Sequence, residues 1–124
     1  MSKKVLIVED EQLVAFLMEK YVTENSCCQV IGNVDNGDEA IEIARKEKPD
    51  VILMDVRIEG NKDGIETAEI LNKELNIPII YTSGNADEKT TERANNTNML
   101  GFLVKPLSKD DLRRLLCPEK SYIN

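Results

Sequence analysis

Five short β-like runs alternate with stretches of helical periodicity, and that alternation restricts the chain to a parallel sheet joined by crossover helices. The runs are Val5–Val8, roughly Gln29–Val34, Val51 to Asp55, Ile79–Thr82 and Phe102–Val104, the last opened by Gly101. The third is the organising one. Its four apolar residues, Val-Ile-Leu-Met, read as a strand buried on both faces, and they end abruptly in the carboxylate of Asp55. In open parallel sheets ligands bind beyond the carboxyl ends of the strands, so Asp55 is a site candidate by position.

The intervening stretches carry apolar stripes. Leu13, Val14, Leu17, Met18, Tyr21 and Val22 predict a first helix over about Glu11–Glu24, packed on the sheet. Ala40, Ile41 and Ala44 mark a second, closed by Arg45-Lys46-Glu47-Lys48 before Pro49. Ile65, Ala68, Leu71 and Leu75 mark a third, started by Asp63-Gly64. The fourth, about Asp87–Asn96, has little apolar surface beyond Ala94 and is expected to pack least firmly. Ser108 caps a fifth, carried by Leu112, Leu115 and Leu116 and stopped by Pro118. Gly32 in the second strand is a candidate bulge position. The 124 residues are expected to form one domain, 1–124, without repeat or linker.

Composition removes several function classes. A net charge of −7 argues against direct nucleic acid binding by these residues. No apolar stretch approaches the roughly 20 residues of a membrane span, and the N-terminal run is too short and too quickly acidic for a signal peptide. Histidine is absent, which excludes a histidine triad, a histidine metal site and relay through a histidine of this chain. Cys27, Cys28 and Cys117 offer neither an even framework nor a metal-ligand spacing. They are expected to be small buried or half-buried hydrophobes in a reducing, cytoplasmic setting.

The residues leaving the strand ends are Glu9 and Asp10, Asp55, Ser83 and Lys105. Three carboxylates without His or Cys make a hard-cation site suited to Mg²⁺. A hydroxyl and an ammonium opposite it would cradle a phosphoryl group, and a carboxylate can itself be the nucleophile, giving an acyl phosphate. Taken singly, each residue has an ordinary explanation: Asp10 and Asp38 as helix caps, Ser83-Gly84 as a turn, Lys105 as a solvated charge, Phe102 as core. Unrelated capping does not place three acids, a hydroxyl and a lysine after four of five strands.

This set, namely Val8-Glu9-Asp10-Glu11, Leu53-Met54-Asp55, Asp63-Gly64, Thr82-Ser83-Gly84 and Lys105-Pro106, resembles the receiver domain of two-component response regulators, in order and spacing and over essentially the whole chain. The resemblance implies a flavodoxin-like, doubly wound α/β fold, with five parallel strands in the order 2-1-3-4-5 and helices on both faces. It implies that Asp55 accepts a phosphoryl group from a sensor histidine kinase or phosphotransfer protein and loses it by slow self-hydrolysis. Asp10, Asp55 and the backbone carbonyl of Arg57 would hold Mg²⁺, with Glu9 assisting. Ser83 and Lys105 would bind phosphoryl oxygens, and Lys105-Pro106 would be a cis bond. Ser83 and Phe102 would act as switch residues that reshape the face of the fourth helix, fifth strand and fifth helix. Output would pass to an effector protein or a fused output domain, homodimerisation being one route. Arg57 and Asn85 stand where similar domains tune dephosphorylation.

The chain departs from the family pattern at three points. Phe102 replaces a frequent Tyr, Ser83 replaces the commoner Thr, and the loop from Asp55 to Gly64 lacks the usual proline and is about one residue longer. Three other classes compete. A haloacid-dehalogenase-like phosphatase needs a second acid where Arg57 stands. A flavodoxin-like binding module needs a phosphate-cradling loop where Glu9-Asp10-Glu11 stands. A pseudo-receiver acting only as an interaction module usually lacks the acids or the lysine, which this chain keeps.

Overall fold

A computed structural model describes residues 2–118. The elements run β1 (Lys3–Val8), α1 (Gln12–Thr23), β2 (Cys28–Val34), α2 (Gly37–Glu47), β3 (Val51–Asp55), α3 (Gly64–Glu74), β4 (Ile79–Ser83), α4 (Glu88–Asn95), β5 (Met99–Val104) and α5 (Lys109–Leu116). All strand pairs are parallel and the sheet order is β2-β1-β3-β4-β5, the order the resemblance implies. The chain reverses its direction of travel across the sheet between β1 and β3. That pair forms the switch point of a doubly wound sheet, where a crevice opens beyond the strand ends.

Two apolar layers hold the sheet. Val51 and Leu53 of β3 face Met18, Val22, Leu112 and Leu116 of α1 and α5. Ile52 and Met54 face Ala40, Ala44, Ile65, Ala68 and Leu71 of α2 and α3. Every residue of β3 is buried, as its apolar run requires, and each large side chain contributes about 1.5–3 kcal/mol by leaving water. No helix among the described residues is long and apolar enough to cross a membrane.

Local signals account for most helix starts. Asn36, Asp63, Asp87 and Ser108 accept hydrogen bonds from the backbone at the N-termini of α2, α3, α4 and α5, and Asp63 and Glu66 form a reciprocal capping box. Neither Asp10 nor Asp38 caps a helix: the N-cap of α1 is Glu11, whose side chain makes no capping hydrogen bond, and Asp38 pairs with Lys62.

The structure corrects the sequence reading at three points and bears it out at one. β5 begins at Met99, not Phe102, because Gly101 lies inside the strand, where a Cβ would come 2.5 Å from Leu115 Cδ1 of α5. On α1, Leu13 and Leu17 do not pack on the sheet. Leu13 is 74% exposed, because Ala15, Met18 and Val22 take the inward positions. As the sequence suggested, β2 has an irregularity beside Gly32, where the register with β1 skips Ile31. Finally, the cysteines are buried or half-buried against the core as expected, but they are not all unpaired: Cys27 and Cys117 are joined as a disulfide and Cys28 lies against both. A sequence separation of 90 gave no sign of this, because the start of β2 and the end of α5 meet only in space.

Candidate functional site

The ends of β1 and β3 put Glu9, Asp10 and Asp55 together, with carboxylate oxygens from all three within 4.8 Å of one another. Glu9 and Asp55 are almost fully buried, at 2% and 4% exposure, while Asp10 lies at the rim. Lys105, just past β5, extends its ammonium to both buried acids, 3.0 Å from Glu9 Oε1 and 3.1 Å from Asp55 Oδ2. The Lys105-Pro106 bond is cis, as the resemblance implied.

Backbone amides complete the scaffold. The Arg57 amide donates to Asp55 Oδ1 at 3.2 Å, and the Glu11 amide donates to Glu9 Oε2 at 3.0 Å. Arg57 thus meets Asp55 through its N–H. The hydroxyl of Ser83 accepts from the Asn85 amide at 3.3 Å, one residue beyond Thr82, which pairs with Asp55 in the ladder. Phe102 is half-buried beside Tyr81, their ring centroids 6.1 Å apart, on the side of the sheet covered by α2 and α3. The first-strand acids, Asp55 and Lys105 therefore form one contacting cluster, with Ser83 at its margin and Phe102 behind it.

The electrostatics of the cluster are unbalanced. Burial pushes the Glu9 carboxyl above its usual range, opposed by the Glu11 amide and the Lys105 ammonium and reinforced by the charge of Asp55. Burial also works against the Lys105 ammonium, but Glu9 and Asp55 outweigh it and hold Lys105 above its ordinary value. One ammonium faces three carboxylates. Glu9 Oε1 is buried and meets the Lys105 ammonium, which it shares with Asp55. An all-oxygen donor set in which three carboxylates share one ammonium fits a hard divalent cation of the Mg²⁺ kind.

Gly64 is a supporting residue that the turn signal Asp63-Gly64 disclosed only as a helix start. Its amide donates to Val56 O at 2.8 Å, and a Cβ at this position would overlap the carbonyl oxygen of Asp55. Only glycine lets α3 approach the acidic strand end this closely.

The fold and this strand-end cluster define a doubly wound α/β domain with an acidic site at its switch point. Residues 5–116 match the response regulator receiver domain, and the chain belongs to that family, whose members are signalling domains of two-component systems. Among its relatives is the transcriptional regulatory protein PdtaR of Mycobacterium tuberculosis, 35% identical over 111 residues that cover 89% of this chain and 53% of PdtaR. Another is the response regulator protein VraR of Staphylococcus saprophyticus, 31% identical over 100% of this chain and 58% of VraR. The chain spans about half the length of these curated relatives. Among solved structures, the signal receiver domain of a modulated diguanylate cyclase from Desulfovibrio desulfuricans superposes with a TM-score of 0.85 at 37% identity, covering 93% of this chain and 90% of that one.

Proposed function

We propose that this receiver, acting as a single unit over residues 1–124, takes a phosphoryl group onto Asp55 in a Mg²⁺-dependent reaction and signals through protein–protein contacts in the cytoplasm. The donor is the phosphohistidine of a sensor kinase or phosphotransfer protein. A carboxylate oxygen of Asp55 forms the new O–P bond, the P–N bond breaks, and its electron pair returns to the imidazole nitrogen, which takes up a proton. The observation that carries this reading is the buried Asp55 carboxylate held between the Arg57 amide and the Lys105 ammonium, beside the buried carboxylate of Glu9.

Glu9, Asp10 and Asp55, with the Arg57 carbonyl, would hold the cation, which when bound supplies neutralisation of the charge carried by the phosphoryl oxygens. Lys105 pairs with a phosphoryl oxygen once Asp55 is modified. Ser83 gives up the Asn85 amide and turns its hydroxyl to another, and Phe102 follows into the space behind it. The product is a shifted population of the α4–β5–α5 face that an effector, an output domain or a second copy reads. Slow hydrolysis of the acyl phosphate resets it.

Intact mass after incubation with acetyl phosphate tests this, with and without Mg²⁺ and alongside Asp55→Asn. A Mg²⁺-dependent gain of one phosphoryl group, absent in the variant, is expected. No gain, under conditions that modify a known receiver, overturns the acceptor role.

A further inference from the structure

At the opposite end of β1 from the acidic cluster, about 20 Å away along the strand, three sulfurs meet. Cys28 opens β2, Cys27 stands in the turn before it, and Cys117 is the residue that ends α5. Side chains of adjacent strand residues point to opposite faces. Here the turn at Cys27 brings its Sγ to 3.5 Å from that of Cys28. Cys28 Sγ is also 3.7 Å from Cys117 Sγ. The Cys27–Cys117 disulfide, with Cα atoms 6.4 Å apart, uses two sulfurs and leaves the third touching both.

A crosslink has no use for that third thiol, but a metal has. Sulfurs around one tetrahedral cation with metal–sulfur bonds of about 2.3 Å lie about 3.7 Å apart, the spacing of the two open edges of this triangle. The donor set is all sulfur, with no carboxylate among the clustered ligand atoms, which selects soft cations over Mg²⁺. Burial pushes the Cys28 thiol up, and the Lys3 ammonium, which donates to Leu116 O at 2.6 Å, opposes that rise without cancelling it. Cys27, Cys117, Lys3 and Asp50 line a cavity of about 500 Å³, so an ion has a way in and a fourth position toward solvent.

We propose that Cys27, Cys28 and Cys117, in their reduced form, bind one thiophilic d¹⁰ cation, zinc or monovalent copper. Two equivalents of a low-molecular-weight thiol first reduce the Cys27–Cys117 bond, leaving two protein thiols and one external disulfide. The cation then displaces the three thiol protons to solvent without any change of its own oxidation state. The bound ion ties the end of α5 to the start of β2.

The test uses the whole chain, reduced with a phosphine under inert gas and kept in excess Mg²⁺ so that the acidic cluster does not compete. Zinc is titrated against a chromophoric chelator and monovalent copper against bicinchoninate, which separates the two cations. Cobalt(II) serves as the spectroscopic probe. One equivalent per chain is expected, with thiolate-to-cobalt charge-transfer absorption, and Cys28→Ser is expected to weaken binding about tenfold or more. Cys117→Ser, at a half-exposed helix end, gives the same loss should Cys28→Ser fail to fold. Absence of stoichiometric binding, undiminished binding in either folded variant, or a cobalt complex without thiolate bands overturns the proposal. So does a Cys27–Cys117 bond that persists in reductant with Cys28 alone free.

Discussion

Gly64 sits against Asp55 so closely that any side chain at position 64 would overlap the Asp55 carbonyl oxygen, with Met54 Cγ 2.9 Å from the same point. The obstacle is backbone on a central strand, which cannot step aside. Gly64→Ala is therefore expected to cost about 3 kcal/mol in urea denaturation. Because Asp55 is displaced with its strand end, phosphoryl incorporation from acetyl phosphate should slow on the order of 100-fold.

Cation binding to the acidic cluster should register as stability. With free Mg²⁺ at ten times its dissociation constant, linkage gives about 1.4 kcal/mol, or about 5 °C in the thermal midpoint. Calorimetry with Mg²⁺ and after chelation should show this rise in the native chain and its loss in Asp10→Asn, whose side chain caps no helix and so is free to serve the ion.

Tyr81 is fully buried, and its hydroxyl lies 2.8 Å from Thr97 Oγ1. Burial pushes its pKa up to about 12, more than the Thr97 hydrogen bond lowers it. The folded state thus holds this proton more tightly than the unfolded chain. The associated stability is intact below pH about 10 and is lost as pH rises towards 12, a total of about 3 kcal/mol. Denaturation across that window should show a shallower decline in Tyr81→Phe than in the native chain.

Fold class and site were legible to different degrees, for physical reasons. The apolar run of β3 and the turn residues around Asp63 and Ser108 act locally, so strand and helix starts could be read from neighbours in sequence. The convergence of Glu9, Asp10, Asp55 and Lys105 followed once the strands were parallel, since all leave on one edge. What failed depended on distance in space. The place of Gly101 inside β5 is set by Leu115, and the outward turn of Leu13 by which face of α1 Met18 and Val22 occupy. The meeting of Cys27 with Cys117 is set by the closure of α5 over β1 and β2. The Gly64 contact likewise required the path of α3.

Arg93 of α4 makes a two-point contact with Asp63, the cap of α3, at 3.1 and 3.2 Å. Ala94 is the one fully buried residue of that helix, so this half-exposed pair is a substantial part of its anchorage. Arg93→Ala is expected to cost less than about 1 kcal/mol globally. Hydrogen exchange should nevertheless accelerate in α4 while β1 and β3 keep their protection.

The acids and the lysine of the cluster arrive from the ends of β1, β3 and β5, with Asp55 and Lys105 separated by 50 positions in sequence. A ribosome releases the chain from its N-terminus, so both buried acids emerge well before the one ammonium that compensates them. Until β5 docks beside β4, a nascent receiver carries an Asp55 without its counter-charge. The complete charge arrangement of the cluster therefore arises only after Lys105 has emerged and β5 has docked, whatever length of chain follows.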